Sequence, residues 1–392
     1  MFSSRLPPDL TPNRLTAALE RRRHAHQRVI DLTLSNPTRA GLEYPADLLA
    51  PLAHARGLVY RPQALGLREA REAVAADYAR RGIRIPSDRI AVTASTSEAY
   101  SVLFKLFCEP GAEVLVPRPS YPLFEHLARL DAVTAVPYDL EYHGVWSVNV
   151  ASLARAVTER TRIILAVSPN NPTGSYLKQG ELAEIDAVSH PRGLPLVIDE
   201  VFADYPLSEG PAPASALSAT NGLTFGLGGF SKSIGLPQVK LGWIAAVGPV
   251  EPVTETMRQL EFVCDTYLSV STPVQAAAAE LFARGAGVRS AVHERLRSNY
   301  RRLRGMVETI PACRLLDVEG GWYATIQVPT LMPEDDLVIS LLETEGVLVH
   351  PGFFFDFARE SFLVLSLLPR PADFDEGVQA ILRHLDCTAG RT

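Results

Sequence analysis

The sequence predicts an α/β protein, with a mostly parallel central sheet flanked by helices and a smaller α+β domain. Three observations carry this. Between residues 89 and 247, short apolar runs alternate with segments of helical period. Several of those runs are apolar at nearly every position and end in polar residues. Such runs fit strands covered on both faces of a sheet. After about residue 250 the pattern changes to long helical stretches, three short strands and a closing helix.

In chain order, a helix is expected to start near Thr11, and the basic run Arg21–Arg28 reads as its solvated face. His24 and His26 are two positions apart, so they share no helix face and make no metal pair. Arg89–Ala94 reads as a strand and Ser97–Cys108 as a helix with one apolar face. Ala112–Pro117 is the next strand and Tyr121–Leu130 the next helix. Thr161–Ser168 and Leu194–Glu200 are near-continuous apolar strands, and "GLTFGLGG" and "LGWIAAVG" extend the series. Gly210–Thr220 is a loop rich in Pro, Ala and Ser. Residues 252–308 read as mainly helical. "GGWYATIQV", "GVLVHPG" and "SFLVLSLL" are short strands, and Asp373–Leu385 is the last helix. The N-terminal segment is expected to pack on this smaller domain.

Composition narrows the function. The chain has 392 residues, 47% of them hydrophobic, and a formal net charge of −6. An acidic balance argues against nucleic-acid binding, which needs a basic face for phosphates. No apolar run is long enough to span a bilayer. The opening "MFSSRLPPDLTPNRL" lacks the apolar core of a secretory signal. Cys108, Cys264, Cys313 and Cys387 are far apart and form no metal or disulfide spacing. They read as thiols of a reducing compartment, and a cytoplasmic protein is expected.

Four stretches carry chemistry. "TASTSEA" (Thr93–Ala99) places small hydroxyl residues between a strand and a helix start. Alone it is an ordinary N-cap, but free N–H groups there also suit a phosphate. "SPNNPTG" (Ser168–Gly174) is turn chemistry that also presents amides. "VIDE" (Val197–Glu200) ends an apolar strand on a carboxylate, Asp199, which needs a cation or donors if buried. "GGFSKSIGLPQVKLGW" (Gly228–Trp243) sets Lys232 just after a strand. An amine for a Schiff base, a carboxylate for a pyridine nitrogen, an amide for a ring oxygen and a helix N-terminus for a phosphate are what pyridoxal phosphate requires.

The chain also resembles a known family, the class I/II aminotransferases of pyridoxal-phosphate fold type I, aspartate/tyrosine aminotransferase-like. The resemblance runs through "YRPQALGLREAREAVA", "TASTSEA", "PSYPLFE", "SPNNPTG", "DEVFADY", "SKSIGLPQVKLGW", "EGGWY" and "HPGFFF", in family order and spacing. It implies a large cofactor-binding domain over residues 46–274 and a small domain of 1–45 plus 275–392. It makes Lys232 the Schiff-base lysine and proton shuttle, and Asp199 the partner of the pyridinium nitrogen. Asn171 would bond the ring hydroxyl oxygen, and Asn171–Pro172 is a candidate cis peptide. Tyr121 would stack on the ring. Thr96 and Ser97 would cradle the phosphate, with Ser95, Ser231 and Lys240 beside them. Tyr60 would reach the neighbouring subunit's phosphate, which implies a twofold homodimer. An amino acid and a 2-oxo acid would be the substrates.

Four positions depart from the family pattern. Phe202 lacks the phenol usual there, Gly229 lacks a frequent serine hydroxyl, and Lys240 replaces an arginine fork by a point charge. Val364 stands where the family's arginine clamps the substrate carboxylate. Arg39 and Arg370 are the candidates to replace it, with Asn36 and Asn171 nearby and Arg118 as a weaker third. Because Val364 loosens the link to ordinary amino acids, a pyridoxal-phosphate-dependent β-lyase is the alternative. A non-catalytic sensing module is a third reading, disfavoured by the acidic charge and by an N-terminal segment too short for a DNA-binding unit.

Overall fold

The computed structural model describes residues 2–7, 9–209, 213–219, 221–359 and 361–389, so part of the expected loop Gly210–Thr220 lies outside the described residues. The first helix spans Arg14–His24 and begins three residues after Thr11. Asn13 sets the start, because its side chain accepts the Thr16 N–H at 2.8 Å. Strand β1 (Ile30–Asp31) follows.

The central sheet uses β2 (Ile90–Thr93), β3 (Glu113–Arg118), β4 (Thr134–Tyr142), β5 (Trp146–Val148), β6 (Thr161–Val167), β7 (Leu196–Asp199), β8 (Thr224–Gly229) and β9 (Gly242–Val247). Their order is β2-β9-β8-β7-β6-β3-β4-β5. The run β8-β7-β6-β3-β4 is parallel. β9 is antiparallel to both its neighbours, and β5 is antiparallel to β4. The sheet is therefore mixed at its ends. Short connections explain this: 143–145 and 230–241 hold no helix long enough for a crossover. β4 and β5 are not announced by the apolar pattern, because β4 is half-exposed along most of its length.

Strand β7 shows why the central runs are apolar throughout. Leu196 and Ile198 pack into one core, with Ile164, Leu182 and Ile185. Val197 faces the opposite core, with Leu103, Ile163, Leu165 and Phe225. A strand covered on both faces leaves no position for a polar residue until its end.

The smaller sheet consists of β10 (Arg314–Leu315), β11 (Tyr323–Gln327), β13 (His350–Pro351) and β14 (Phe362–Ser366). β12 (Val347–Leu348) pairs instead with β1, in parallel, with Ile30 opposite Val347. The N-terminal helix lies nearby through Ala18, Leu342 and Leu348, and Arg14 adds ion pairs to Asp335 and Asp336. Exposed pairs of that kind contribute little, so the apolar contact holds the segment. A helix of 30 residues, Ala278–Val307, packs against the helices Arg68–Arg80 and Pro371–Ala389. Among the described residues no helix is long and apolar enough to cross a membrane.

One buried ion pair braces the end of β7. Arg81 Nη1 lies 3.2 Å from Glu200 Oε2, with side-chain exposures of 13% and 2%. Ser215 Oγ and the Ala216 N–H donate to the other Glu200 oxygen. Glu200→Ala leaves the guanidinium buried and unpaired. The variant is expected to lose about 3–5 kcal/mol of unfolding free energy, measured by urea denaturation. A loss under about 1 kcal/mol would show that water reaches the pair.

Candidate active site

Four parallel-running strands deliver the chemistry to one edge. β2, β6, β7 and β8 all end at the carboxyl edge of the sheet, where ligands of such folds bind. After β2 comes the helix Thr96–Phe107; after β6, the turn Ser168–Gly174; at the end of β7, Asp199; after β8, the single-turn helix Phe230–Ser233 with Lys232. Thr96, Ser97, Tyr121, Asn171, Asp199, Ser231 and Lys232 line one cavity of about 200 Å³. Two clefts of about 660 and 770 Å³ are roomier, but neither contains the lysine or the buried carboxylate. Chemistry, not volume, selects the site.

Lys232 opens on the cavity but is otherwise enclosed. Its Nζ donates to the Ser35 carbonyl at 3.4 Å and lies 4.4 Å from the centre of the Trp322 ring. Burial lowers its pKa to about 8, against the pull of Asp199. A minor but substantial share of the amine is therefore neutral near physiological pH, far more than for an ordinary lysine. Its backbone is held by Tyr205, whose hydroxyl donates to the Lys232 carbonyl.

Asp199 is 8% exposed. Burial raises its pKa to about 6, while the Val201 N–H, Tyr100 and Lys232 pull it down. Oδ1 accepts the Val201 N–H at 3.0 Å, and Oδ2 accepts the Tyr100 hydroxyl at 2.8 Å.

The two neighbouring asparagines divide their work. Asn170 Nδ2 donates to the Pro119 carbonyl and to Thr173 Oγ1, tying the turn together. Asn171 faces the cavity, and its buried Oδ1 has no partner. Asn171–Pro172 is cis, as are Ser168–Pro169 and Arg118–Pro119. Gly174 has φ +70, and a Cβ there would come within 2.6 Å of the Gly320 carbonyl oxygen, so the turn requires glycine.

At the helix start Ser95 is the N-cap and accepts the Glu98 N–H at 3.2 Å. Thr96 and Ser97 lie in the first turn, whose N–H groups have no partner within the helix. β9 comes close here. A Cβ on Gly242 would lie 2.9 Å from the Ser95 carbonyl carbon. Lys240 is exposed, two residues before that contact, with left-handed backbone at φ +60.

The other expected residues lie outside the cavity lining. Tyr60 is 73% exposed. Asn36 caps a short turn, accepting from the Thr38 N–H and hydroxyl. Arg39 is exposed. Arg370 is exposed and lies over Gly41, beside Arg295. Arg118 pairs with Asp139 at 2.6 Å. Val364 is fully buried in β14, opposite Thr325 and His350, and none of the cavity-lining residues is an arginine. Phe202 lines the cavity and packs on Trp322 with ring centres 5.5 Å apart.

Three polar lining residues escape the sequence reading: Ser35, Tyr100 and Tyr323. Tyr323 touches the Ser35 side chain, and burial raises its pKa, so its phenol stays a neutral donor. Tyr100 had a signal: it sits four residues after Thr96, on the same helix face.

The donor set fits pyridoxal phosphate. A partly neutral amine, a buried carboxylate with two donors, an orphaned amide oxygen and free helix N–H groups converge on one space. Asn171, Asp199, Thr96, Ser97 and Lys232 would hold it. Among the described residues no cluster of potential metal ligands occurs.

Comparisons with known proteins agree. The family model "Aminotransferase class I and II" matches residues 50–381. The glutamate-pyruvate aminotransferase AlaA of Escherichia coli K12 is 24% identical over 369 residues, covering 91% of this chain and 90% of that protein. The alanine aminotransferase of Mycobacterium tuberculosis H37Rv is 26% identical over 373 residues, covering 90% and 85%. In structure, the alanine aminotransferase from Pyrococcus furiosus superposes with a TM-score of 0.87 at 24% identity, over 98% and 100% of the chains. A Thermus thermophilus aspartate aminotransferase mutant gives 0.84 at 22% identity, over 98% and 99%. The fold is that of the type I pyridoxal-phosphate enzymes. With most of its length matched, the chain belongs to the class I and II aminotransferases, pyridoxal-phosphate-dependent enzymes that move an amino group between an amino acid and a 2-oxo acid.

Proposed function

We propose that Lys232, Asp199 and Asn171 are the working residues of this aminotransferase, and that alanine and glutamate are the first amino donors to test. The observation that carries the proposal is their convergence on one cavity with the first turn of the Thr96–Phe107 helix. Bound pyridoxal phosphate supplies an electron sink that acidifies the substrate Cα–H. Lys232 Nζ takes that proton and returns it across the site; its lowered pKa suits a base working near neutral pH. Asp199 would supply the negative charge that keeps the cofactor's ring nitrogen protonated. Trp322 and Phe202 keep water from the flank of the amine. The names of the relatives support alanine, glutamate and pyruvate as substrates.

The active unit is a homodimer in this reading. Leu58, Val59 and Tyr60 form an exposed, mostly apolar stretch, 86%, 60% and 73% exposed, which a second copy would cover. The four free thiols support a reducing, cytoplasmic location. We retain 46–274 as the large domain and 1–45 plus 275–392 as the small one.

A half-reaction screen tests the function. Protein loaded with pyridoxal phosphate is mixed with each amino acid while the visible absorbance of the cofactor is followed. Alanine or glutamate should bleach it, and pyruvate should restore it. Initial-rate plots against both substrates should be parallel, as a ping-pong exchange requires. Intersecting lines would overturn the proposal. Arg39 and Arg370 remain candidates for the carboxylate clamp, reached when substrate binds. If either serves, its alanine variant raises KM by about tenfold or more with kcat little changed. An unchanged KM in both variants removes both arginines from the site.

A further inference from the structure

We propose that Tyr100 is a positioning residue, whose hydroxyl fixes Asp199 in direction and keeps it ionised against the cofactor nitrogen. The inference rests on the reading of Asp199 above.

The geometry is specific. Tyr100 is 3% exposed and Asp199 is 8% exposed. The phenol donates to Asp199 Oδ2 at 2.8 Å, and both residues line the cavity. The Val201 N–H holds Oδ1 at 3.0 Å. Each carboxylate oxygen thus has one fixed donor, and the plane of the group is set from two sides. The phenol ring cannot swing away. Phe124 packs edge-on to it with centres 5.2 Å apart, and Phe104 lies at 6.3 Å.

The hydroxyl also opposes burial. Asp199 sits among groups from three elements: Tyr100 on its helix, Glu200 next in the chain and Lys232 after β8. Glu200 disfavours a second negative charge, while Lys232 and Tyr100 favour it. Burial raises the Tyr100 pKa far above its ordinary value, and nearby Asp199 raises it further, so the phenol never competes for the charge. It is a neutral donor at every working pH. A donor to a buried carboxylate lowers the carboxylate pKa, so deleting it moves ionisation upward.

Tyr100→Phe removes one oxygen and keeps the ring. Three readouts are expected to move together. Retention of pyridoxal phosphate, measured by fluorescence during dialysis, weakens about tenfold. kcat falls about tenfold. The acid limb of the kcat profile shifts upward by about one pH unit, because Asp199 now protonates at higher pH. Asp199→Asn removes the charge that Tyr100 serves, so adding Tyr100→Phe to it should weaken cofactor retention by less than about twofold.

Circular dichroism and thermal melting of the apoprotein report folding separately. If Tyr100→Phe folds and leaves retention and the pH profile unchanged, the hydroxyl is packing alone and the proposal falls. If Tyr100→Phe unfolds the protein, Tyr100→His, which restores a donor, must recover both the fold and the pH profile; a recovered fold with a shifted profile also overturns it. Failure of the underlying site reading looks different: Asp199→Asn alone would then leave cofactor retention intact.

Discussion

Lys232→Ala is expected to lower kcat by about 10⁴-fold or more for every amino donor, the largest effect in the protein. A positioned proton carrier alone contributes about 10²–10⁴-fold. Removing the amine would also remove the group that holds the bound cofactor, a separate loss. The variant should fold, because the backbone of Lys232 is held by Tyr205 and the side chain makes one long hydrogen bond, to the Ser35 carbonyl, besides its ring contacts. Single-turnover bleaching of the cofactor absorbance by alanine or glutamate measures the loss. A decrease of under tenfold would move the proton carrier elsewhere. The wild-type amine gives a companion result. Its pKa is lowered to about 8, so the fraction able to capture cofactor rises with pH and is half-maximal at that value. Rates of pyridoxal phosphate capture by apoprotein should therefore flatten above about pH 9. A rate still climbing at pH 10 would mean that the lysine is solvated like a surface amine.

Asp199→Asn should cost about 10²–10³-fold in kcat, the range for losing one preorganised charge or donor at a reacting centre. Its effect on stability should have the opposite sign. In the apoprotein the Asp199 pKa is raised from 3.8 to about 6 by burial. The folded state then holds the proton more tightly than the unfolded chain does. That stabilisation is fully present below about pH 4 and is lost as pH rises through about 6. At neutral pH the ionised group costs on the order of 3 kcal/mol, at about 1.4 kcal/mol per pH unit. Asparagine cannot ionise, but it meets one of the two donors with an amide N–H₂, a loss of about 1 kcal/mol. The apoprotein variant should be about 2 kcal/mol more stable than wild type at pH 7.5 and no more stable at pH 4, by urea denaturation. A variant less stable at pH 7.5 would show that Lys232 and Tyr100 already compensate the buried charge. The expected pattern is a residue kept for chemistry at the expense of the fold.

The central strands were legible because a strand covered on both faces admits only apolar residues, as Leu196, Val197 and Ile198 illustrate. β4 was not, since a strand half-exposed along most of its length carries a mixed pattern. Lys232, Asp199 and Asn171 were legible for a related reason. Each is a polar residue at or just beyond the end of an apolar strand, where the sheet stops and ligands bind. Tyr100 was hidden because a tyrosine on an apolar helix face reads as core. Its ring does pack as core, against Phe104 and Phe124; only its hydroxyl is functional.

By itself, the chain determined its layers, its family and the chemical groups of its site. Those follow from local periodicity, from turn chemistry and from residue types in a fixed order. Tertiary structure decided the electrostatics. It put Tyr100 on Asp199 across 99 positions of sequence, lowered the Lys232 pKa by burial and set Arg39 and Arg370 outside the cavity lining. Burial and hydrogen bonding depend on distances between segments far apart in the chain. No pattern within a single segment encodes them.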